Sequence, residues 1–327
     1  NQTTTVCSDE ALGYILANDI DTPNVASYNL TSIVDNGLIP ASGNIVIQNG
    51  FLSDAISNDS WNNITSAALD VIYTFVPVGD NGCLGDDFTV TVTVNPEPVV
   101  TNQTITVCSD ENLNQAFNAS TSVAADTYNV TNLQTNGLSI SAGNPDVANG
   151  LLANDLEDDA FTNLTNAPVD VIYTVVPVSG SNCEGEPFSV TVTVNPEPVV
   201  ANQTTTVCSD EILGFTLEND LNGPDVASYN LTNITSNELT AASGNTTQQN
   251  GLSSDAISND SWNNITDTAL DVVYTFIPVG DNGCLGDPFT VTVTVNPEPV
   301  VANQTTTVCS DEALGYILAN DIDTPNV

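Results

Sequence analysis

Apolar and polar residues alternate along several short segments of this chain. In Phe88–Val94, apolar side chains alternate with threonines, which is the period-two pattern of a strand with one buried and one solvated face. Asp70–Val78 alternates less strictly and is predicted to be a strand with both faces partly covered. Val25–Ile33 is a third strand candidate. Turns are predicted at the Asn-Gly pairs Asn36-Gly37, Asn49-Gly50 and Asn81-Gly82.

The chain is internally repetitive, with a period of 100 or 101 residues. The segment VCSDE begins at Val6, Val107, Val207 and Val308, and each full period closes with VTVTVNPEPVV. These repeats predict domains at 1–97, 98–198 and 199–299, followed by the truncated start of a fourth domain at 300–327. No dozen residues follow a helical period. About seven short strands in about a hundred residues predict an all-β fold of tandem immunoglobulin-like β-sandwich domains.

A longer period lies above this one. Residues 1–25 recur unchanged as residues 303–327. We expect a three-domain unit of 302 residues that itself repeats in a longer protein. The alternative is that the last segment completes another molecule by donating a strand.

The joins between the predicted domains are short and rich in proline. Asn95-Pro96-Glu97-Pro98 follows the last strand of the first repeat, and the same NPEP closes the other two repeats. Two prolines in four residues favour an extended, stiff connection. The sequence therefore predicts domains arranged as an extended rod.

Composition excludes whole classes of function. The chain has no Lys, Arg or His and carries 41 acidic residues, for a net charge of −41. Such a chain repels nucleic acid, and it lacks the lysine of a P-loop and the histidine of the usual hydrolase triad. The hydrophobic fraction of 40% is that of a globular protein. No apolar run approaches the ~18 residues of a membrane span, so no direct membrane span is expected in this segment.

The cysteines occur twice in each full repeat, and the seventh, Cys309, opens the fourth. A regular set of disulfides implies an oxidising location outside the cytoplasm. The two cysteines of a repeat are expected at the same end of its sandwich. A Cys83–Cys108 bond is disfavoured, because the last strand carries the chain roughly 26 Å away from Cys83. Buried free thiols are the remaining alternative. The predicted bonds are Cys7–Cys83, Cys108–Cys183 and Cys208–Cys284.

The acidic residues are spread evenly over the repeats, and some are expected to converge at the joins. Calcium binds six to eight oxygen ligands in flexible geometry, so structural Ca²⁺ at the joins is one prediction. A merely solvated acidic surface is the alternative, since no EF-hand loop is present. The candidate ligands are Glu97, Asp110, Glu111, Glu184 and Glu186 at the first join, Glu197, Asp210, Glu211, Asp281 and Asp287 at the second, and Glu298, Asp311 and Glu312 at the third.

Two further features have a plain and a sharper interpretation. Trp61 and Trp262 occupy equivalent positions, with Phe161 between them in the second repeat. A core position is favoured over a platform for stacking carbohydrate.

Asn-x-Ser/Thr occurs 15 times, beginning at Asn1. Glycosylation is one interpretation, and chance in a chain rich in Asn and Thr is the other.

The combined motifs resemble a known family. They are the first-strand VCS, the GCxG of Gly82-Cys83-Leu84-Gly85, the YTxxP of the penultimate strand and the closing VTVTVNPxP. Together they are similar to PKD-like tandem domains of giant surface proteins of Bacteroidota, which include gliding-motility adhesins. The resemblance covers every repeat. Repeat 2 departs from it with Asn182-Cys183-Glu184-Gly185, and Asp9 stands where the family often has Gly. It implies an immunoglobulin-like sandwich in an exported, surface-anchored adhesin or filament, without catalytic residues.

The expected function is therefore structural and adhesive. We expect stalk repeats of a giant secreted cell-surface adhesin or filament, located outside the cell and giving length, stiffness and surface attachment. The expected partners are neighbouring repeats of the same chain and surface polysaccharide or other cells. The alternative is a module in which each repeat binds carbohydrate or a protein through its loops. An enzyme would need two carboxylates in a deep cleft, which short sandwich loops rarely build.

Overall fold

A computed structural model describes residues 1–17, 24–143, 145–219, 223–299 and 301–318. Within these ranges the chain is all-β and contains no helix, as the alternation of the sequence predicts. The predicted calcium ligands all lie in these ranges, whereas the last part of the predicted fourth domain, 319–327, lies outside them. The strands of repeat 1 are β1 (Gln2–Cys7), β2 (Val25–Val34), β3 (Ile39–Pro40), β4 (Trp61–Asn62), β5 (Leu69–Gly79) and β6 (Phe88–Asn95).

Repeats 2 and 3 have the same plan with one additional short strand each. Repeat 2 contains β7 (Gln103–Cys108), β8 (Ala125–Gln134), β9 (Ser139–Ala142), β10 (Ala148–Leu151), β11 (Ala160–Thr162), β12 (Val169–Ser179) and β13 (Phe188–Asn195). Repeat 3 contains β14 (Gln203–Cys208), β15 (Val226–Thr235), β16 (Thr240–Ala241), β17 (Gln249–Leu252), β18 (Trp262–Asn263), β19 (Leu270–Gly280) and β20 (Phe289–Asn296).

The main sheet of each repeat places the first strand beside the last. In repeat 1 the strand order is β1-β6-β5-β2, and the short strands β3 and β4 form a separate pair. Strands β2, β5 and β6 pair antiparallel. Strand β1 pairs with β6 in parallel, from Gln2 opposite Val90 to Cys7 opposite Asn95. Because both strands run the same way, Cys7 lies at the end of the repeat where the chain leaves it.

The core lies on one face of this sheet. Val71, Tyr73 and Phe75 of β5 are fully buried, as are the alternate valines of β6. The opposite layer consists largely of irregular chain held by backbone hydrogen bonds. Leu12 N–H donates to Asp59 O at 2.8 Å and Leu16 N–H donates to Ser53 O at 2.7 Å. All three sequence-predicted strands are confirmed within one residue at each end, and the partial cover expected on the second face of β5 is also confirmed.

A buried polar chain crosses this core. Trp61 Nε1–H donates to Tyr73 Oη at 2.7 Å, and the Tyr73 hydroxyl donates to Asp59 Oδ2 at 2.8 Å. Asp59 Oδ1 accepts from the backbone N–H of Ile45 at 2.9 Å. Asp59 is 1% exposed, and burial raises the pKa of its carboxyl. Trp61 and Trp262 are both core residues, so neither forms a platform for carbohydrate.

Three of the Asn-x-Thr sequences are structural turns. Asn63 is 4% exposed, and its amide donates to Ala67 O at 2.9 Å and Val94 O at 2.8 Å. Its side-chain oxygen accepts from Thr65 N and Oγ1. Asn163 and Asn264 repeat the arrangement in the other two repeats. A glycan cannot reach these side chains in the folded protein.

The chain forms two compact units. The first comprises 1–105, 112–160 and 170–193, and the second comprises 106–111, 161–169 and 194–327. Each unit therefore contains one complete junction between successive repeats. No helix in the described part of the chain is long and apolar enough to cross a membrane.

Candidate functional site: the junctions between repeats

Each junction is crossed by a disulfide that joins successive repeats. Cys7 of repeat 1 bonds to Cys183 of repeat 2, with Cα atoms 5.5 Å apart. Cys108 of repeat 2 bonds to Cys284 of repeat 3, with Cα atoms 5.6 Å apart. The predicted bonds Cys7–Cys83, Cys108–Cys183 and Cys208–Cys284 are therefore wrong. Among the described residues, Cys83, Cys208 and Cys309 are free and exposed.

The parallel pairing of the first strand explains why the prediction fails. Cys7 lies opposite Asn95 at the exit end of β6, whereas Cys83 lies in the turn before β6 begins. The length of β6 separates them, at about 3.3 Å per residue. The turn cysteine of the next repeat, by contrast, lies at its entry end. The first-strand cysteine of one repeat thus meets the turn cysteine of the next.

The proline linker is packed into the junction. Pro96 and Pro98 are buried, as are Pro196 and Pro198 at the second junction. A Cβ built on Gly185 would lie 1.9 Å from Pro98 O, and one on Gly286 would lie 1.9 Å from Pro198 O. Only a glycine permits this approach. The last Gly of the GCxG motif is therefore a linker-docking residue, which the sequence reasoning did not identify.

Polar groups of the following repeat hold the linker by hydrogen bonds. At the first junction, the Ser120 hydroxyl accepts from Val99 N at 2.9 Å, and Thr121 N–H donates to Val99 O at 2.9 Å. At the second junction, Asn282 Nδ2 donates to Pro196 O at 2.8 Å. The linker is thus fixed at several points along its length, in addition to the disulfide.

A carboxylate cluster surrounds the first disulfide. Glu97 lines a cavity of about 460 Å³ together with Cys7, Asp9, Glu10 and Glu186. Burial, followed by the negative charges of Asp9, Glu10 and Glu186, raises the pKa of Glu97 to about 7. With no Lys, Arg or His in the chain, no basic side chain offsets this repulsion. The linker glutamate therefore holds its proton to a higher pH than an ordinary carboxyl group does.

The second junction repeats this electrostatic arrangement. Burial, followed by the charges of Asp110 and Asp287, raises the pKa of Glu197 to about 7. Asp110 follows the first-strand cysteine of repeat 2, so it belongs to the exit end of that repeat. The same shift at two equivalent glutamates shows that it is a property of the junction.

The structure regroups the predicted calcium ligands. Glu97, Glu184 and Glu186 do line the first junction. Asp110 and Glu111 were assigned there wrongly, since they follow Cys108 and lie at the exit end of repeat 2, where Ser109 N–H donates to Asn195 O. Asp9 and Glu10 take their place. By the same displacement, Asp210 and Glu211 follow Cys208 at the exit end of repeat 3, where Ser209 N–H donates to Asn296 O.

The remaining predicted ligands are distributed between the second junction and the end of the chain. The negative charge of Asp287 helps to raise the pKa of Glu197 at the second junction. Asp281 is exposed in the turn before Cys284. Glu298, Asp311 and Glu312 are exposed. Nowhere in the described ranges do three or more Asp, Glu, His or Cys side chains form a group that could hold a metal ion. The carboxylates are near neighbours without converging, so calcium binding stays a prediction.

Comparison with known proteins identifies the type of domain. A family model described as PKD-like domain matches residues 4–98, 105–198 and 205–299. These matches cover most of the chain and agree in number with its three repeats. No curated protein matches the chain.

Many solved structures match the chain at low sequence identity. Drosophila N-cadherin EC1-3 is 11% identical, over 91% of this chain and 98% of that one, with a TM-score of 0.21. The chicken CNTN1 FN1–FN3 domains are 9% identical, over 85% and 91%, with a TM-score of 0.28. The Bacteroides ovatus mixed-linkage glucan utilization locus protein SGBP-B, solved with a mixed-linkage heptasaccharide, is 14% identical, over 96% and 72%, with a TM-score of 0.17.

Proposed function

We propose, because the chain belongs to the PKD-like domain family and bonds each of its repeats to the next, that it is a structural segment of an extracellular stalk or filament. The observation that carries the proposal is the pair of equivalent disulfides, Cys7–Cys183 and Cys108–Cys284. Each acts at a junction that the polypeptide already crosses once. The disulfide adds a second covalent connection at the junction. This second connection restrains the movement of one repeat relative to the next.

The junction supports this role in a second way. Domains joined by a plain linker move by default, because the interfaces between them are small. Here the linker prolines are buried and a glycine admits the linker backbone at close range. Disulfide, linker packing and hydrogen bonds together oppose bending. A stiff succession of repeats suits a stalk that holds other parts of a surface protein away from the cell.

The same bonds support an extracellular location. Disulfides form and persist in oxidising compartments and are rare in the cytosol. The finer assignment, a giant cell-surface adhesin of the gliding-motility type that attaches to polysaccharide or other cells, rests on the sequence resemblance described above. We propose it as the setting in which such a segment operates, in a non-catalytic role.

In the part of the chain that the structure describes, no contact favours the alternative of a carbohydrate-binding module. The two tryptophans that could stack on a sugar are 3% and 5% exposed and lie in the core. The Trp61 ring also uses its N–H internally, on Tyr73. A measurement of how firmly the repeats are held to one another therefore distinguishes a stalk from a binding module best.

The test compares the oxidised chain with a variant whose junction bonds are removed. Cys7→Ser combined with Cys108→Ser removes both bonds and leaves all linkers and carboxylates in place. Small-angle X-ray scattering at fixed ionic strength should give a narrow distance distribution for the parent and a broader one for the variant. Identical distributions would remove the basis of the stalk proposal, because the bonds would then restrain nothing.

A further inference from the structure

The two sulfur atoms of each junction disulfide differ in their access to solvent. Cys183 is 0% exposed and Cys284 is 1% exposed, so a molecule in solution cannot reach their sulfur atoms. Their bonded partners, Cys7 and Cys108, are half-buried. A reducing thiolate attacks a disulfide sulfur atom directly. The first-strand cysteine is therefore the point of attack on each bond.

Cys7 lines a cavity whose walls carry negative charge. The cavity measures about 460 Å³ and includes carboxylates from both repeats. They are those of Asp9, Glu10, Glu97, Glu184 and Glu186. Glu10 is held beside the attacked residue, because its carboxylate accepts a hydrogen bond from the backbone N–H of Cys7 at 3.3 Å. A thiolate that reaches Cys7 must therefore enter among five carboxylates.

The second junction has the same arrangement. Glu111 Oε2 accepts a hydrogen bond from the backbone N–H of Cys108 at 3.2 Å, as its counterpart does at the first junction. Burial, followed by the negative charges of Asp110 and Asp287, raises the pKa of Glu197, so these carboxylates are near neighbours. Because the chain has no Lys, Arg or His, no basic side chain offsets the negative charge at either junction.

We infer that the carboxylates at the junctions shield the disulfides against anionic thiols, so that thiols without additional negative charge reduce these bonds in preference. The attacking thiolate is itself negative, and each further negative group on the reductant adds repulsion. Repulsion from five carboxylates, screened over about 8 Å at physiological salt, corresponds to roughly fivefold slower attack for each added charge. The excluded reductants are small thiols that carry free carboxylates, such as glutathione.

The inference rests on the proposed stalk function and deepens it. A disulfide restrains one repeat on the next only while the bond is intact. A stalk whose junction bonds repel anionic thiols keeps this restraint in surroundings that contain such thiols. The carboxylates therefore protect the bonds that stiffen the chain.

Reduction proceeds by two thiol–disulfide exchanges. The reductant thiolate forms a bond to Cys7 Sγ, the Cys7–Cys183 bond breaks, and its electron pair stays on Cys183 Sγ, which takes a proton from solvent. A second reductant thiolate displaces the first from Cys7. The protein gains two electrons and two thiols, and two reductant molecules leave as one small disulfide. Burial makes Cys183 a poor leaving group, because it disfavours the thiolate, and this slows attack by all thiols alike.

The test compares three small thiols whose thiolate forms differ in net charge. Cysteamine thiolate has a net charge of zero, mercaptoethanol thiolate has one negative charge, and mercaptoacetate thiolate has two. The exposed thiols of the oxidised chain, Cys83, Cys208 and Cys309, are alkylated first. Samples taken during reduction at pH 8 are quenched with acid and analysed by mass spectrometry. Each rate is divided by the rate of the same thiol with hydroxyethyl disulfide, a neutral reference that corrects for intrinsic reactivity.

The normalised rates should depend on reductant charge and on salt. In about 10 mM salt, where the screening length is about 30 Å, they should fall at least roughly fivefold from cysteamine to mercaptoethanol and again to mercaptoacetate. In about 1 M NaCl, where the screening length is about 3 Å, the three rates should converge. Equal normalised rates in dilute salt would overturn the inference.

The position of the first mixed disulfide tests the point of attack. Peptide maps of the earliest samples should show the reductant on Cys7 and Cys108. A reductant found mainly on Cys183 or Cys284 would overturn the inference, because the attack would then not pass the carboxylates beside the first-strand cysteines.

Two double variants separate the cavity carboxylates from the charge of the whole chain. Glu184→Gln with Glu186→Gln removes two charges from the cavity wall. At the first disulfide this should reduce the difference between cysteamine and mercaptoacetate roughly fourfold, and the second disulfide is the internal control. Asp86→Asn with Asp87→Asn removes two exposed charges before β6, at the opposite end of repeat 1 from Cys7, and should leave the difference unchanged. Equal effects of the two double variants would overturn the inference.

The scattering experiment described above is carried out without reductant and therefore tests the stalk function separately. If the junction bonds narrow the distance distribution but are reduced without regard to reductant charge, this inference fails while the proposed function stands. If the bonds show charge selectivity and do not narrow the distribution, the carboxylates shield them, but the proposed function fails.

Discussion

Cys7 and Cys183 are bonded across the first junction although 176 positions separate them in the chain. The parallel pairing of β1 with β6 places Cys7 at the exit end of its repeat, next to the following repeat. The bond therefore connects two repeats, and it does not close a loop inside one. This arrangement determines how the protein should respond to reduction, force and pH.

Reduction should lower the melting temperature substantially. In the chain-entropy account, closing a loop of this size stabilises the folded state by about 5 kcal/mol. Differential scanning calorimetry of Cys183→Ser against the parent measures the effect. Cys83→Ser is the control, since Cys83 is free and exposed. Equal melting temperatures for the two variants would show that the junction bond does not contribute to stability.

Stretching by force should give short extensions in the oxidised state. The bond between Cys7 and Cys183 bypasses the intervening chain, which would measure roughly 600 Å when fully extended at about 3.4 Å per residue. Optical-tweezers traces should show this length only after a reductant is added. Long extensions without reductant would mean that the bonds have not formed.

Acidification should stabilise the junctions. The pKa of Glu97 is about 7 in the folded protein against an ordinary 4.5, so between these values the folded state holds a proton that the unfolded chain releases. The stability contributed by this group is fully present below pH 4.5 and is lost as pH rises through 7. The melting temperature should therefore be higher at pH 5.5 than at pH 8.

A double variant isolates this effect from the general repulsion of an acidic chain. Glu97→Gln with Glu197→Gln should raise the melting temperature at pH 8 and flatten its dependence on pH. Glu298→Gln removes one of the same charges from the exposed third linker and should do neither. If Glu298→Gln acts as strongly per charge, the pH response belongs to the surface as a whole.

Calcium, if it binds, should act at these same glutamates. A divalent ion would favour the charged carboxylates, so binding should raise the melting temperature at pH 8, by the linkage relation for a ligand of the folded state. Millimolar CaCl₂ is compared with NaCl of equal ionic strength, and a chelator reverses a true effect. Equal responses to sodium and calcium would leave the acids as a screened surface.

Loss of the tyrosine hydroxyl should cost more than loss of the indole N–H. Tyr73→Phe leaves the buried Asp59 carboxylate without one of its donors, a loss of about 1–3 kcal/mol. Trp61→Phe reproduces the residue that repeat 2 carries as Phe161, where Tyr173 still donates to Asp159 at 2.8 Å. Urea unfolding measures both. A larger loss for Trp61→Phe would indicate that ring volume outweighs the hydrogen bonds.

The strands could be predicted from the sequence because each depends on a local pattern. The alternation in Phe88–Val94 requires a half-buried strand whatever lies beside it. The junction could not be predicted in this way. Alternation is the same for a strand that pairs parallel or antiparallel, and only the parallel pairing of β1 with β6 sends Cys7, Asp9 and Glu10 to the exit end. Because the sequence does not reveal the direction of β1, the disulfides and the ligand sets were both predicted at the wrong end of the repeat.

The two disulfides overlap along the chain, since Cys108 lies inside the span closed by Cys7 and Cys183 and bonds to Cys284 beyond it. A single broken peptide bond anywhere between Cys7 and Cys284 therefore leaves one covalently connected molecule. A chain cut once would migrate as two fragments on a reducing gel and as one species without reductant. For a segment exposed to the proteases of its surroundings, this overlap means tolerance of damage: one cleavage does not sever the polypeptide, and parts beyond the cut stay attached.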